Sequence, residues 1–407
     1  MFNLKTWIAL AAMLGGGGVA TAQLLPQLPP VPPIGGVIDR ARPLIDDATA
    51  LPGRALDQLA EARRMRIADL VRRYPDRIAL DPEGNPARAR ELVVDDPDDV
   101  LVARAERRGY RLIERSDVLG VSYARFVTPD KSIGAAMREL RKLGARQVSA
   151  DSLHSESGST AALAVPAGGG DGAPIGMIDG GGAGRAAAQR GFAEGAPRAS
   201  SHGSAVASLI VGASGVRGAA PDARLYVADV YGSDPAGGNA SAIAKALGWL
   251  VGERVPVVTI SLVGPANPLL ARVIAAAQAR GTIVVAAVGN DGPAAPPSYP
   301  ASYPGVVAVT GVDARGRVLI EAGRATHLDY AAPGADMLAA DAAGTAVRVR
   351  GTSFAAPLAA ATILAVYPAP VPGGAAAALA AVDRQARRLG PRYGRGLVCG
   401  DCRTPPK

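Results

Sequence analysis

The feature that most constrains this chain is a succession of short, unbroken apolar runs in its second half, at residues 175–178, 223–230, 255–260, 282–287 and 306–309, separated by Ala-rich, helix-like segments. A strand with one wet face alternates apolar and polar side chains, so continuous runs of this length belong to strands buried on both faces, as in parallel sheets covered by helices. From residue 173 onward an α/β fold is therefore expected: a doubly wound, mainly parallel sheet with helices on both faces. Only 4% of residues are aromatic, with 50 Gly and 33 Pro, so the core must be built mostly from Ala, Val, Leu and Ile.

Upstream the pattern differs. Residues 91–155 read as strand (91–94), helix (97–108), strand (110–115), strand (120–127), helix (132–143) and strand (145–150), with Asp98 and Asp130 placed to cap the helices and Gly109 and Gly144 to end them. That order is a split β-α-β unit, a small α/β domain of its own. Residues 156–170, rich in Gly, Ser and Ala, read as a flexible joint before a domain at 171–398, and residues 399–407 as a tail. Between 55 and 73 apolar residues recur at three- and four-residue intervals among arginines, so 55–90 is expected to be a helical region.

The N-terminus has the order of a secretory signal: Lys5, an apolar stretch from Trp7 to Leu14, four glycines, then Ala20-Thr21-Ala22. The apolar run is shorter than the ~20 residues that a spanning helix needs, so cleavage after Ala22 and export to the periplasm or the extracellular space are expected. Pro26, Pro29, Pro30, Pro32 and Pro33 follow, making residues 23–54 a Pro-rich linker. The net charge of +8 comes without a Lys/Arg block or interleaved aromatics, so it reads as a solvated Arg-rich surface and no nucleic-acid partner is expected.

In open parallel sheets the ligand crevice lies beyond the carboxyl ends of the strands, so polar residues directly after an apolar run are the ones to inspect. Asp179 follows 175–178 and precedes Gly180-Gly181-Gly182; on its own it is equally well a turn residue. His202, in Ser201-His202-Gly203-Ser204, stands directly before the apolar run 205–211, at an expected helix N-terminus. Of the two other histidines, His154 falls in the joint and reads as exposed, and His327 reads as a hydrogen-bonded structural residue in a strand. Asn290 closes Ala286-Ala287-Val288-Gly289-Asn290 at another strand end, where its amide is placed either to donate to an oxyanion or to form a turn. Ser353 lies in Gly351-Thr352-Ser353-Phe354-Ala355-Ala356-Pro357 at the start of an Ala-rich helix, whose N-terminus favours negative charge developing beside it.

Taken together, acid, base, oxyanion donor and nucleophile occur in the order Asp, His, Asn, Ser. The segments 178–180, 202–207, 287–290 and 351–357 resemble the four signature segments of the subtilases, and the resemblance spans residues 171 to 398. It implies a serine endopeptidase with Asp179, His202 and Ser353 as triad and Asn290 in the oxyanion hole, acting on protein or peptide substrates through an acyl-enzyme. It further implies a substrate-binding edge at Ser261, Leu262, Val263 and Gly264, and substrate-binding residues at Ala287, Val288 and Gly289. Residues 91–155 resemble the inhibitory prosegment of these enzymes, which implies an autoprocessed zymogen with its own prosegment as intramolecular inhibitor, and a monomer.

The chain departs from the family pattern at Ala205, where many relatives carry a second His, and at Val263 and Val288, where Gly and Ala are usual. The two valines add bulk beside the primary pocket, so small or medium apolar side chains are expected there. The chemistry requires no cofactor and no metal. No carboxylate cluster suited to a calcium cage is visible, which leaves structural calcium open. Cys399 and Cys402 suit a thiol-redox pair, half a metal site or a small disulfide, and an oxidising compartment favours the disulfide. An α/β-hydrolase esterase is excluded by Ala355, where its elbow needs Gly, and by Ser353 coming last. A catalytically silent binding protein on the same scaffold is the remaining rival.

Overall fold

The structure is a computed structural model that describes residues 52–129, 132–158 and 170–406. The expected signal peptide, nearly all of the Pro-rich linker, the Asp130 cap and most of the joint lie outside these residues. The first element is helix α1 (Pro52–Arg73), followed by strands β1 (Ile78–Leu80) and β2 (Pro86–Asp95), α2 (Asp99–Glu106), β3 (Arg111–Val118), β4 (Val121–Val127), α3 (Ile133–Lys142) and β5 (Gln147–Ser152). Asp98 caps α2 by accepting from Leu101 N–H at 2.6 Å, and Ser132 caps α3. The expectation of a helical region through residue 90 fails after Arg73. Ile78 and the first residues of β2 pair with each other and join the small sheet, whose order is β1-β2-β4-β3 with β5 also on β2, all antiparallel.

That sheet packs α2 and α3 against one face, around Leu92, Phe126, Leu140 and Val148. Its other face meets the rest of the chain. Val93, Val118, Val121 and Tyr123 enter a core shared with two helices described below.

The second unit begins after a two-residue strand, β6 (Ser155–Glu156), and comprises β7 (Pro174–Asp179), β8 (Ala188–Gly191), α4 (Ser201–Val211), β9 (Arg224–Asp229), α5 (Ala240–Gly252), β10 (Val257–Ile260), β11 (Leu262–Val263), α6 (Pro268–Ala279), β12 (Ile283–Ala287), β13 (Val307–Val312), β14 (Tyr330–Pro333), β15 (Met337–Ala340), β16 (Ala346–Val349), α7 (Thr352–Val366), α8 (Ala375–Gln385) and β17 (Gly396–Leu397). Every expected apolar run supplies a strand of one eight-stranded sheet, ordered β17-β14-β13-β12-β10-β7-β9-β8, and each pairing in it is parallel. The fold is thus the doubly wound α/β architecture expected from the runs. Helices α4 and α7 cover one face and α5 and α6 the other. Ala355, Ala356, Ala359 and Ala360 are small enough to let α7 lie close against the sheet, which explains how a chain poor in aromatics fills its core.

The two units meet through charged and polar groups as well as apolar ones. Asp151, fully buried at the end of β5, accepts from Ser241 N–H at 2.9 Å, Ser241 Oγ at 2.7 Å and Asn239 Nδ2 at 3.1 Å, so it caps α5 from the neighbouring unit. Burial pushes its carboxyl up, and the Arg125 guanidinium opposes that. Around it, Glu114 joins Arg125 and Lys245, Arg88 joins Asp234, and Arg272 joins Asp95. Helix α1 adds a second attachment. Arg63 and Arg66 pair with Asp291, Leu59 packs at Gly292, and Leu70, Val71 and Tyr74 pack with Ile78, Leu153 and Ala236. Among the described residues no helix is long and apolar enough to cross a membrane.

Candidate active site

Asp179 is the last residue of β7 and is fully buried. Its Oδ1 accepts from Gly180 N–H at 2.8 Å and lies 2.8 Å from His202 Nδ1. His202 stands in the first turn of α4, which is fixed by Ser200: the hydroxyl of this N-cap accepts from Gly203 N–H at 2.9 Å. A carboxylate only accepts, so the imidazole donates from Nδ1 and turns Nε2 to the opposite side. Burial works against the imidazolium, but the Asp179 carboxylate and then that of Glu156 outweigh it and push the His202 pKa up to about 9.

Ser353 enters from α7. Its N-cap is Gly351 at φ +148°, a conformation that only glycine adopts readily, and a Cβ there would stand 2.9 Å from Asn290 Nδ2. Asn290 follows β12, and its side chain is oriented by Thr352. Asn290 Oδ1 accepts from Thr352 N–H at 3.0 Å, while the Thr352 hydroxyl accepts from Gly289 N–H at 3.0 Å and donates to Gly289 C=O at 3.1 Å.

Besides Asp179 Oδ2, three of the buried polar atoms without a hydrogen bond among the described residues belong to this site: Ser353 Oγ, His202 Nε2 and Asn290 Nδ2. Buried polar atoms are ordinarily paired, so three orphans in one site call for an explanation. They are a hydroxyl oxygen, an imidazole nitrogen and an amide donor, the three groups that acyl transfer engages in its transition state.

The expected substrate edge is occupied by the chain itself. β6 pairs antiparallel with β11, Glu156 opposite Leu262 and Ser155 opposite Val263, and Ser261 C=O accepts from both the N–H and the hydroxyl of Ser157, at 3.3 and 3.2 Å. Residues 155–158, read from sequence as the end of one unit and the start of a joint, are thus a strand segment in a groove. Gly264 pairs with Tyr299 through two backbone hydrogen bonds. Val263 faces Gly289, its Cγ1 3.3 Å from where a Cβ on that glycine would stand. Val288 is a correction: 1% exposed, it packs in the core with Ile260 and Val284, as does neighbouring Ala287 in the opposite core.

His154 is also a correction. It is 1% exposed, not open to solvent, and burial pushes its pKa down to about 4, so it stays neutral. His327 lies outside the strands, its Nε2 2.8 Å from Val306 C=O. Cys399 and Cys402 are joined by a disulfide. Glu156, Asp179 and His202 each bring one potential metal-ligand atom within 4.8 Å of the others, but a mixed nitrogen-oxygen trio whose His is engaged by Asp179 does not fit a calcium cage of six to eight oxygens.

Residues 189–380 match the model of the subtilase family. Over those residues the chain is similar to the subtilases. The match takes in His202, Asn290 and Ser353. Over 179 residues the chain is 35% identical to Subtilisin E of Bacillus subtilis (strain 168), covering 42% of this chain and 47% of the relative. It is 35% identical over 179 residues to Subtilisin of Bacillus pumilus, covering 42% and 65%. The chain thus spans about half the length of some curated relatives it matches. Among solved structures, fervidolysin from Fervidobacterium pennivorans, a keratinolytic enzyme related to subtilisin, superposes with a TM-score of 0.63 over 78% of this chain and 61% of that one, at 16% identity. A mutant of the protease domain of PatA gives a TM-score of 0.50 over 57% and 94%, at 22% identity. At these identities the two structures speak for the fold alone.

Proposed function

We propose that this subtilase-like domain is a serine endopeptidase. The observation that carries the reading is the Asp179–His202 hydrogen bond together with three unpaired buried atoms, Ser353 Oγ, His202 Nε2 and Asn290 Nδ2, the His202 ring standing 5.3 Å from that of Phe354, the residue after Ser353. His202 Nε2 takes the proton of Ser353 Oγ as the oxygen attacks a peptide carbonyl, Asp179 holds the imidazole and stabilises its charge, and Asn290 Nδ2 with Ser353 N–H receives the oxyanion. Nucleophile, base and donors are all groups of the chain, so the chemistry calls for no cofactor.

The finer reading is an exported zymogen whose prosegment-like unit, residues 91–155, inhibits the domain that it precedes and is removed by it. It is supported by the α5 cap from Asp151 and by the strand pairing of β6 in the groove.

The test compares wild type with Ser353→Ala for labelling by a fluorophosphonate probe and for casein hydrolysis. Labelling and hydrolysis confined to wild type are expected. An unlabelled, inert wild type would sink the endopeptidase reading and leave a binding scaffold.

A further inference from the structure

Residues 153–158 run the length of the groove. Leu153 bridges Asn239, His154 N–H donates to Gly238 C=O at 2.8 Å, and β6 lies on β11, so the segment is hydrogen-bonded along both edges. Ser157 C=O accepts from Ser353 N–H at 3.3 Å, and this oxygen and Asn290 Nδ2 both lie 2.9 Å from where a Cβ on Gly351 would stand. The next residue rests on the nucleophile. A Cβ on Gly158 would come 2.4 Å from Ser353 Oγ and 2.6 Å from the Phe354 ring. One peptide bond therefore has its carbonyl oxygen on Ser353 N–H, on the side of Gly351 where Asn290 Nδ2 also stands, and its Gly158 side at the seryl oxygen.

Two side chains of the same segment have surroundings shaped to them. The His154 ring lies over Gly264, where a Cβ would come within 2.6 Å of it, and its carbonyl accepts from Tyr231 Oη at 2.7 Å. The Glu156 carboxyl is hydrogen-bonded by Ser200 and stands beside His202 and Asp179.

We propose that the chain cuts itself between Ser157 and Gly158, and that the groove is built to recognise the residues before the cut, an acidic side chain beside His202 and an imidazole against Gly264. The proposal rests on the endopeptidase reading and names its bond and its preferred sequence. Ser353 Oγ bonds to the Ser157 carbonyl carbon while its proton passes to His202 Nε2. The C–N bond to Gly158 then breaks, and the proton goes to the departing amine. Water splits the Ser157 ester, leaving a carboxylate on Ser157 and restoring the Ser353 hydroxyl. A carboxylate at position 156 favours the imidazolium that forms on the way, whereas a cation there opposes it. Glu156 faces His202, Asp179, Asp229 and the Tyr231 hydroxyl. Burial, with Asp179 and Asp229, pushes its pKa up to about 7 against the pull of His202 and Ser200.

The full chain, wild type and Ser353→Ala, is expressed and its fragments are identified by intact mass and N-terminal sequencing. Wild type is expected to yield a fragment ending at Ser157 and one beginning at Gly158, with Ser353→Ala whole. A casein-active wild type cut at another bond overturns the proposal and leaves the endopeptidase standing. A wild type that is whole, inert and unlabelled by fluorophosphonate overturns both. The acidic preference is read on the processed enzyme, with peptides of sequence His-Ser-Glu-Ser-Gly and the same peptide with Lys in place of Glu. A kcat/KM about tenfold lower for Lys is expected; an equal or higher value overturns the preference. Gly158→Val in the full chain is expected to slow the cut about tenfold or to move it; an unchanged cut at the same bond counts against the placement.

Discussion

The two sheets of this molecule are covered in opposite ways. The eight-stranded parallel sheet has helices of its own unit on both faces, α4 and α7 on one and α5 and α6 on the other. The five-stranded antiparallel sheet has its own helices on one face only. Its second face gives Val93, Val118, Val121 and Tyr123 to the core of its neighbour and sets Glu114, Arg125 and Asp151 against α5. One sheet is complete within its own unit, and the other is completed by its neighbour. An enzyme and a detachable cover would differ in this way, because a face that must separate is tolerable in water only if charged groups share it with the apolar ones.

The largest way to break the contrast is Ser353→Ala, which should lower casein hydrolysis on the order of 10⁶, a scale set by subtilisin, and keep both sheets in one covalent chain. Gel mobility and initial rates read both. Asn290→Ala keeps the sheets as they are and isolates the site: kcat on a peptide substrate should fall about 10²–10³, again subtilisin's scale, with KM little changed. An unchanged kcat would remove Asn290 from the oxyanion hole.

Asp151→Ala, made in the Ser353→Ala chain, strikes where the covers differ. It leaves Arg125 and the first amides of α5 without their buried partner, and a loss of about 3–5 kcal/mol in urea unfolding is expected. A loss below about 1 kcal/mol would mean that the small sheet does not depend on its neighbour there. The hold of the groove segment should also depend on pH. The His202 pKa is raised to about 9, so the stabilisation given by its charge is complete below its ordinary value of 6.5 and is lost as pH rises through about 9. The melting temperature of the Ser353→Ala chain should fall across that window, and Glu156→Gln should shallow the fall by removing one of the two carboxylates that support the charge. Glu114→Gln is the mildest change. It weakens part-buried pairs to Arg125 and Lys245 and should cost about 1 kcal/mol, less at high salt.

How much was legible follows the same division. The parallel sheet was readable because strands buried on both faces leave unbroken apolar runs, and Asp179 and Asn290 stood out as candidates because they follow the ends of such runs, with His202 and Ser353 directly before apolar helices. The small sheet showed its element order, but β1 was missed because three residues, Ile78 to Leu80, carry no periodicity. What local pattern cannot show is pairing across long separations. Ser155 and Glu156 lie more than a hundred residues from Leu262 and Val263, and Gly, Ser and Ala composition alone makes 156–170 read as a joint. Ser200 was within reach, since a Ser ahead of an apolar helical run is an N-cap signal. The roles of Thr352 and Tyr231 depend on side chains meeting in space and left no trace in spacing.

Helix α1 reaches Asp291, the neighbour of Asn290, with its arginines, and Leu153, the first residue of the groove segment, with its last turn. Before any cut, the cover and the groove are tethered on one chain, and tethering holds the local concentration of such a segment on the order of millimolar. The proposed cut after Ser157 would remove the tether and leave α1, with its arginines and its last turn, on the released piece. Occupancy of the groove then becomes a matter of dilution: in a crowded compartment the severed cover stays seated, and in a large volume it leaves. On the proposed cut, the groove would thus be covered where the chain is concentrated and open where it is dilute.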